Sequence, residues 1–204
     1  MPGIGILLLF FVHGKKGQEI MVELMKCLEA TPIIAAVRDR LFDKALQAPV
    51  DVIFLLGCDI ATIRQRIDAA KNAKKYIFIH IDLAEGIGKD KSGIKFLASC
   101  GADGIISTRS NLIKYAKEQG LLTVQRFFAY DSHGVESISD VLSATKPDIM
   151  EIMPGTMGKI IKRFSGGKIP LIAGGLVETR QEVTSALSLG ALAVSTGKEE
   201  LWYD

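Results

Sequence analysis

Two small polar turns, Gly174-Gly175 and Thr196-Gly197, stand one strand-and-helix unit apart near the end of the 204-residue chain. Each follows a short apolar run, and glycine lets a backbone approach a ligand closely. Two such turns on adjacent parallel strands present rows of backbone N–H groups to each other, which suits a dianionic phosphate. Other short apolar runs end in Arg38, Arg109 and Arg126, and in Asp82 and Glu151. Guanidinium groups add charge toward a phosphate, and carboxylates accept from hydroxyls. The set therefore fits a small phosphate ester that also carries hydroxyl groups. Gly174, Gly175, Thr196, Gly197, Arg38, Arg109 and Arg126 are the expected phosphate-binding residues. Asp82 and Glu151 are the expected hydroxyl-binding residues.

A catalytic set is harder to find. Asp82 and Glu151 could serve as acid and base on a triose- or sugar-phosphate. No His-rich or carboxylate-rich metal set accompanies them, and no lysine occupies a strand end as a Schiff base would require. His80 lies inside an apolar run and reads as a packed, satisfied residue, whereas His13 and His133 belong to no constellation. The expectation is a binding site with no catalytic residue, metal or cofactor.

These residues need a frame, and the apolar pattern supplies one. Eight runs rich in β-branched residues fall at 33–37, 52–56, 76–81, 104–107, 121–125, 149–152, 171–173 and 192–195. Their hydrophobicity is continuous, as in strands buried on both faces of a parallel sheet. Amphipathic segments intervene. Ile60, Ile63, Ile67 and Ala70 form a stripe after Asp59, an expected N-cap, and Thr179 with Glu182 has capping-box spacing. Ser110 and Gly120 bracket another helix. Eight units without a second domain predict a compact single-domain (β/α)8 TIM-type barrel with a phosphate-binding site at strands 7 and 8. A doubly wound open sheet is the alternative.

Composition sets outer limits. Three cysteines without metal or redox spacing read as reduced thiols of a cytoplasmic protein. A net charge of +2 neither demands nor excludes nucleic acid. Residues 4–12 are almost wholly apolar but too short for a bilayer, which takes about 20 apolar residues. Residues 1–20 read as a non-native or disordered N-terminal extension ahead of a domain at 21–204, with Met21 the natural start. Lys15-Lys16-Gly17-Gln18-Glu19 can be encoded by purine-rich codons of the kind found at a ribosome-binding site.

Several segments resemble one family. They include Ile33-Ile34-Ala35-Ala36-Val37-Arg38, the run from His80-Ile81-Asp82 to Gly86-Ile87, and Ile106-Ser107-Thr108-Arg109-Ser110-Asn111. Gln125-Arg126, Lys146-Pro147-Asp148, Met150-Glu151-Ile152-Met153-Pro154-Gly155 and the tail through Gly174-Gly175, Ser195-Thr196 and Trp202 continue it. Together these are similar to the glycerol-3-phosphate-responsive antiterminators of bacterial glycerol operons. The resemblance implies a non-enzymatic regulator that binds glycerol 3-phosphate and then leader mRNA, with no membrane partner; homo-oligomerisation stays open. The RNA surface does not follow from the residues. Lys71, Lys74, Lys75, Lys114, Lys117, Lys159, Lys162 and Arg163 are basic candidates on ordinary helix faces, and no aromatic stacking platform is visible. An enzyme on a sugar- or triose-phosphate and a protein-binding metabolite sensor are the competing readings.

Overall fold

The computed structural model describes residues 15–203. Eight parallel strands close into a barrel in chain order: β1 (Ile33–Val37), β2 (Val52–Leu55), β3 (Tyr76–His80), β4 (Gly104–Ser107), β5 (Leu122–Phe128), β6 (Ile149–Met153), β7 (Leu171–Gly174) and β8 (Ala193–Thr196). The helices are α1 (Lys15–Ala30), α2 (Asp39–Gln47), α3 (Ile63–Asn72), α4 (Lys91–Ser99), α5 (Ser110–Glu118), α6 (Ser132–Thr145), α7 (Gly158–Phe164) and α8 (Arg180–Ser188). A 3-10 turn, Glu199–Tyr203, takes the place of a helix after β8. Closure of the ring, with β1 paired to β8 through Ile34 and Ser195, excludes the open sheet.

Strand periodicity of two sorts the apolar residues into two cores. Ala35, Ile53, Ile79 and Ile105 face outward and meet the helices. Ile34, Phe54, Phe78, Ile106, Val124 and Ile172 face inward and fill the barrel, with Phe54 and Phe78 in tilted ring contact at 5.5 Å. The inner cluster includes three residues from α1: Met21, Leu24 and Leu28. This helix therefore closes the barrel at the strands' N-terminal ends, each such side chain contributing about 2 kcal/mol by burial. The expected boundary between residues 20 and 21 falls inside α1. The rest of the expected extension, residues 1–14, lies outside the described residues.

Local chemistry explains most element ends. Thr179 accepts from the Glu182 N–H while the Glu182 carboxylate accepts from the Thr179 N–H, which completes the expected capping box of α8. Asp59 behaves differently. It pairs in a bridge with Glu85 and accepts from the Ala61 N–H at 2.7 Å, so α3 starts later, after Thr62. Cys58 and Cys100 are buried and Cys27 partly so, all without disulfide partners. Burial pushes the Cys58 thiol up to about 11. No helix among the described residues is long and apolar enough to cross a membrane.

Candidate functional site

The inward rows change character toward the strands' C-terminal ends. Phe78 is followed two residues on by His80, Val124 by Arg126, Ile149 by Glu151 and Ala193 by Ser195. By strand alternation these four polar groups face the barrel axis above the apolar filling. Arg126 and Glu151 are direct register partners on β5 and β6. Arg126 Nε donates to Glu151 Oε2 at 2.6 Å, and Ser195 Oγ donates to Glu151 Oε1 at 2.6 Å. Glu151 is fully buried and Arg126 is 7% exposed. A charge buried this deeply persists only when paired, and here each carboxylate oxygen has its own donor.

Gly174 is part of that arrangement. A β-carbon there would collide with Glu151 Oε1 and Ser195 Oγ, so the missing side chain makes the space for their hydrogen bond. The second glycine of the pair has the conformational role: Gly175 has φ +72°, followed by Leu176 at φ +58°. Leu176 is 70% exposed, an unusual place and backbone region for leucine.

Above the ion pair lies a cavity of about 340 Å³. Arg126, Glu151, Gly175, Thr196 and Gly197 from the expected set line it, joined by Ser195, Glu178 and Lys198. Arg126 spends its Nε on Glu151, and none of its remaining nitrogens is both buried and unpaired. Arg126 is itself a lining residue of the cavity, anchored there by Glu151. Thr196 holds the two lips together. Its hydroxyl donates to the Val177 carbonyl at 2.8 Å and accepts from the Lys198 N–H at 3.1 Å, while its carbonyl accepts from Trp202 Nε1 at 3.0 Å. Lys198 meets Glu178 across the opening at 3.4 Å, an exposed pair worth at most about 1 kcal/mol and easily exchanged for an anion.

Four expected residues do not line this cavity: Gly174, which sits beneath it against Glu151 and Ser195, and Arg38, Asp82 and Arg109. Arg38 is exposed at the end of β1, just before α2. Asp82 follows β3 and accepts from Ser107 Oγ at 2.9 Å, the Thr108 N–H at 2.8 Å and Thr108 Oγ1 at 3.1 Å. Arg109 Nε stands 3.7 Å from the same carboxylate. Asp82 therefore organises the turn after β4, and its oxygens are already engaged. His80 also departs from expectation: it is buried, but its Nδ1 has no hydrogen-bond partner. Burial, reinforced by the charge of Arg126, lowers its pKa to about 4, so the imidazole is neutral.

Ser195, Glu178 and Lys198 escaped the sequence reading. Ser195 had a usable signal, since strand alternation places it on the same face as Ala193. Lys198 and Glu178 are brought together only by loop geometry. Several of the basic candidates for RNA serve the fold instead. Lys75 donates to the Ala48 and Val50 carbonyls at 2.7 and 2.5 Å, Lys117 donates to the Lys146 carbonyl, and Lys71 pairs with Asp103. Desolvation lowers the pKa of both Lys75 and Lys117. No cluster of three or more His, Cys, Asp or Glu side chains among the described residues is placed to hold a metal.

A family model described as glycerol-3-phosphate responsive antiterminator matches residues 33–202, which takes in every strand of the barrel and every wall of the cavity. The chain belongs to that family. Among curated relatives, the uncharacterised protein YgcP of Escherichia coli K12 is 36% identical over 182 residues, covering 88% of this chain and 95% of its own. The glycerol uptake operon antiterminator regulatory protein of Listeria monocytogenes superposes with a TM-score of 0.79 at 32% identity, over 83% of this chain and 94% of its own. A glycerol uptake operon antiterminator-related protein of Thermotoga maritima gives 0.76 at 33%, over 84% and 98%. The deoxyribose phosphate aldolase of Aeropyrum pernix, at 12% identity and a TM-score of 0.64, shares the fold alone. None of the eight strands of this chain carries a lysine, and the one lysine lining the cavity, Lys198, follows β8.

Proposed function

We propose that this antiterminator senses glycerol 3-phosphate in the cavity above Arg126 and Glu151, and binds the leader mRNA of a glycerol operon in its liganded form. The observation that carries this reading is the guanidinium of Arg126, buried and held by Glu151, in the lining of a cavity lipped by Gly175 and Thr196-Gly197. A phosphate would take the Arg126 guanidinium, the Lys198 ammonium and the glycine backbone, all donors to an anion. Glycerol hydroxyls would reach Ser195 and the oxygens of Glu151. Arg38, Arg109 and Asp82 would act from outside the cavity, on the loops that frame it.

Ligand can favour RNA binding only by interacting differently with the RNA-competent and incompetent forms, and the linkage runs both ways. Calorimetric titration with glycerol 3-phosphate should give saturable one-site binding, absent with glycerol and lost in Arg126→Met. Filter binding of leader RNA should then tighten when glycerol 3-phosphate is present. Equal RNA affinity with and without the metabolite would overturn the regulatory reading, and turnover of the metabolite would replace it with an enzyme.

A further inference from the structure

Among the described residues seven large hydrophobic side chains remain exposed; Val22 lies on α1 and Tyr203 in the last 3-10 turn, and the other five share one end of the barrel. Ile60, Leu83, Phe128, Tyr130 and Leu176 all lie at strand ends or loops on the cavity side of the barrel. Two of them form a defined object. The rings of Phe128 and Tyr130 stack with centroids 5.3 Å apart and planes within 3° of parallel, and Tyr130 is 81% exposed. The geometry points to this pair as a platform for an unpaired RNA base, an inference that rests on the RNA-binding reading above and locates its surface.

The platform is framed on both sides. The Ala129 N–H donates to the Met153 carbonyl at 2.8 Å, and Asp131 caps α6 by accepting from the Gly134 N–H at 2.7 Å. Only Tyr130 separates these two anchors, so the stacked rings stand on a short tethered segment. A parallel stack leaves the outer face of its last ring open, and a flat aromatic base continues it. Base–aromatic stacking tolerates any sequence because every base has a π-face. The flanks carry charge that suits a polyanion. Arg109 is exposed at the end of β4 on one side, its Nε 3.7 Å from Asp82. Lys159 is exposed in the first turn of α7, after β6, on the other. The acidic neighbour Asp131 is occupied by its cap.

The platform is also tied to the cavity. Phe128 follows Arg126 by two residues on β5 and so shares its face, and its register partner Met153 lines the cavity wall. An anion drawn to Arg126 therefore acts on the strand that ends in the stack. One position senses the metabolite and the next on that face presents the ring.

The test uses the full chain as wild type, Tyr130→Ala and Tyr130→Phe, with leader RNA and saturating glycerol 3-phosphate. Tyr130→Ala should weaken RNA binding about tenfold or more, whereas Tyr130→Phe should stay within about twofold of wild type. Calorimetric affinity for glycerol 3-phosphate should be unchanged in both, with matching melting curves. If Tyr130→Ala binds RNA like wild type, the platform is wrong while the RNA-binding reading stands. If wild type binds no RNA at all, both fall together. A loss of self-association on sedimentation of Tyr130→Ala would assign the rings to a second copy of this chain and overturn the proposal.

Discussion

Glu151 shows how much one residue's meaning depends on its neighbours. In the sequence it is a carboxylate at a strand end, fit to read a hydroxyl or to act as a base. In the fold its two oxygens accept from Arg126 and Ser195, and its main effect is to hold a guanidinium in the cavity lining. Arg126, Gly175, Thr196 and Gly197 were legible because polar or glycine residues that end apolar runs stand out by type. Asp82 stood out by type too, but its engagement was hidden, since its three donors come from a turn whose shape no spacing reveals. His80 carries the pH prediction at this scale. Its folded pKa of about 4 lies below the ordinary value of 6.5, so the unfolded chain takes up a proton that the folded one refuses. This cost is absent above pH 7, grows as pH falls below 6.5 and reaches about 3 kcal/mol at pH 4. Urea unfolding of His80→Gln should accordingly lose less stability than wild type between pH 7 and pH 4. Parallel profiles for the two proteins would show that His80 is not the group responsible.

At the scale of elements, runs with no charged residue were read well. The expected strands at 33–37 and 104–107 coincide with β1 and β4. The expected fifth strand, 121–125, ends early because a charged residue breaks the apolar run at Arg126. The observed β5 continues to Phe128, since Glu151 compensates that charge in the adjacent strand. Asp59 failed as a helix cap for a related reason, its backbone being drawn to Glu85. The capping box at Thr179 and Glu182 needed only local spacing and was readable outright. Removing it with Thr179→Ala should cost about 1 kcal/mol, seen as a lower urea midpoint with an unchanged slope. Because Glu178 lines the cavity just ahead of this cap, the same variant should also weaken glycerol 3-phosphate binding by a few fold, read by calorimetry.

For the whole molecule, eight buried apolar runs without a second domain were enough to predict a closed barrel, because both strand faces must be covered and a ring leaves no edge. The role of α1 was not legible, since Met21, Leu24 and Leu28 look like any amphipathic stripe until the barrel gives them an interior to enter. A ligand that binds only the folded form stabilises it as its concentration exceeds the dissociation constant, by about 2.7 kcal/mol at a hundredfold excess. Glycerol 3-phosphate at that excess should therefore raise the melting temperature by several degrees, and glycerol should leave it unchanged. The helix across the floor has a kinetic consequence too. With Met21, Leu24 and Leu28 packed into the inner core, the cavity among the described residues lies at the other end, where the aromatic rings stand. An RNA lying across that end would slow the metabolite's escape, so an assembled complex would outlast a brief fall in its concentration.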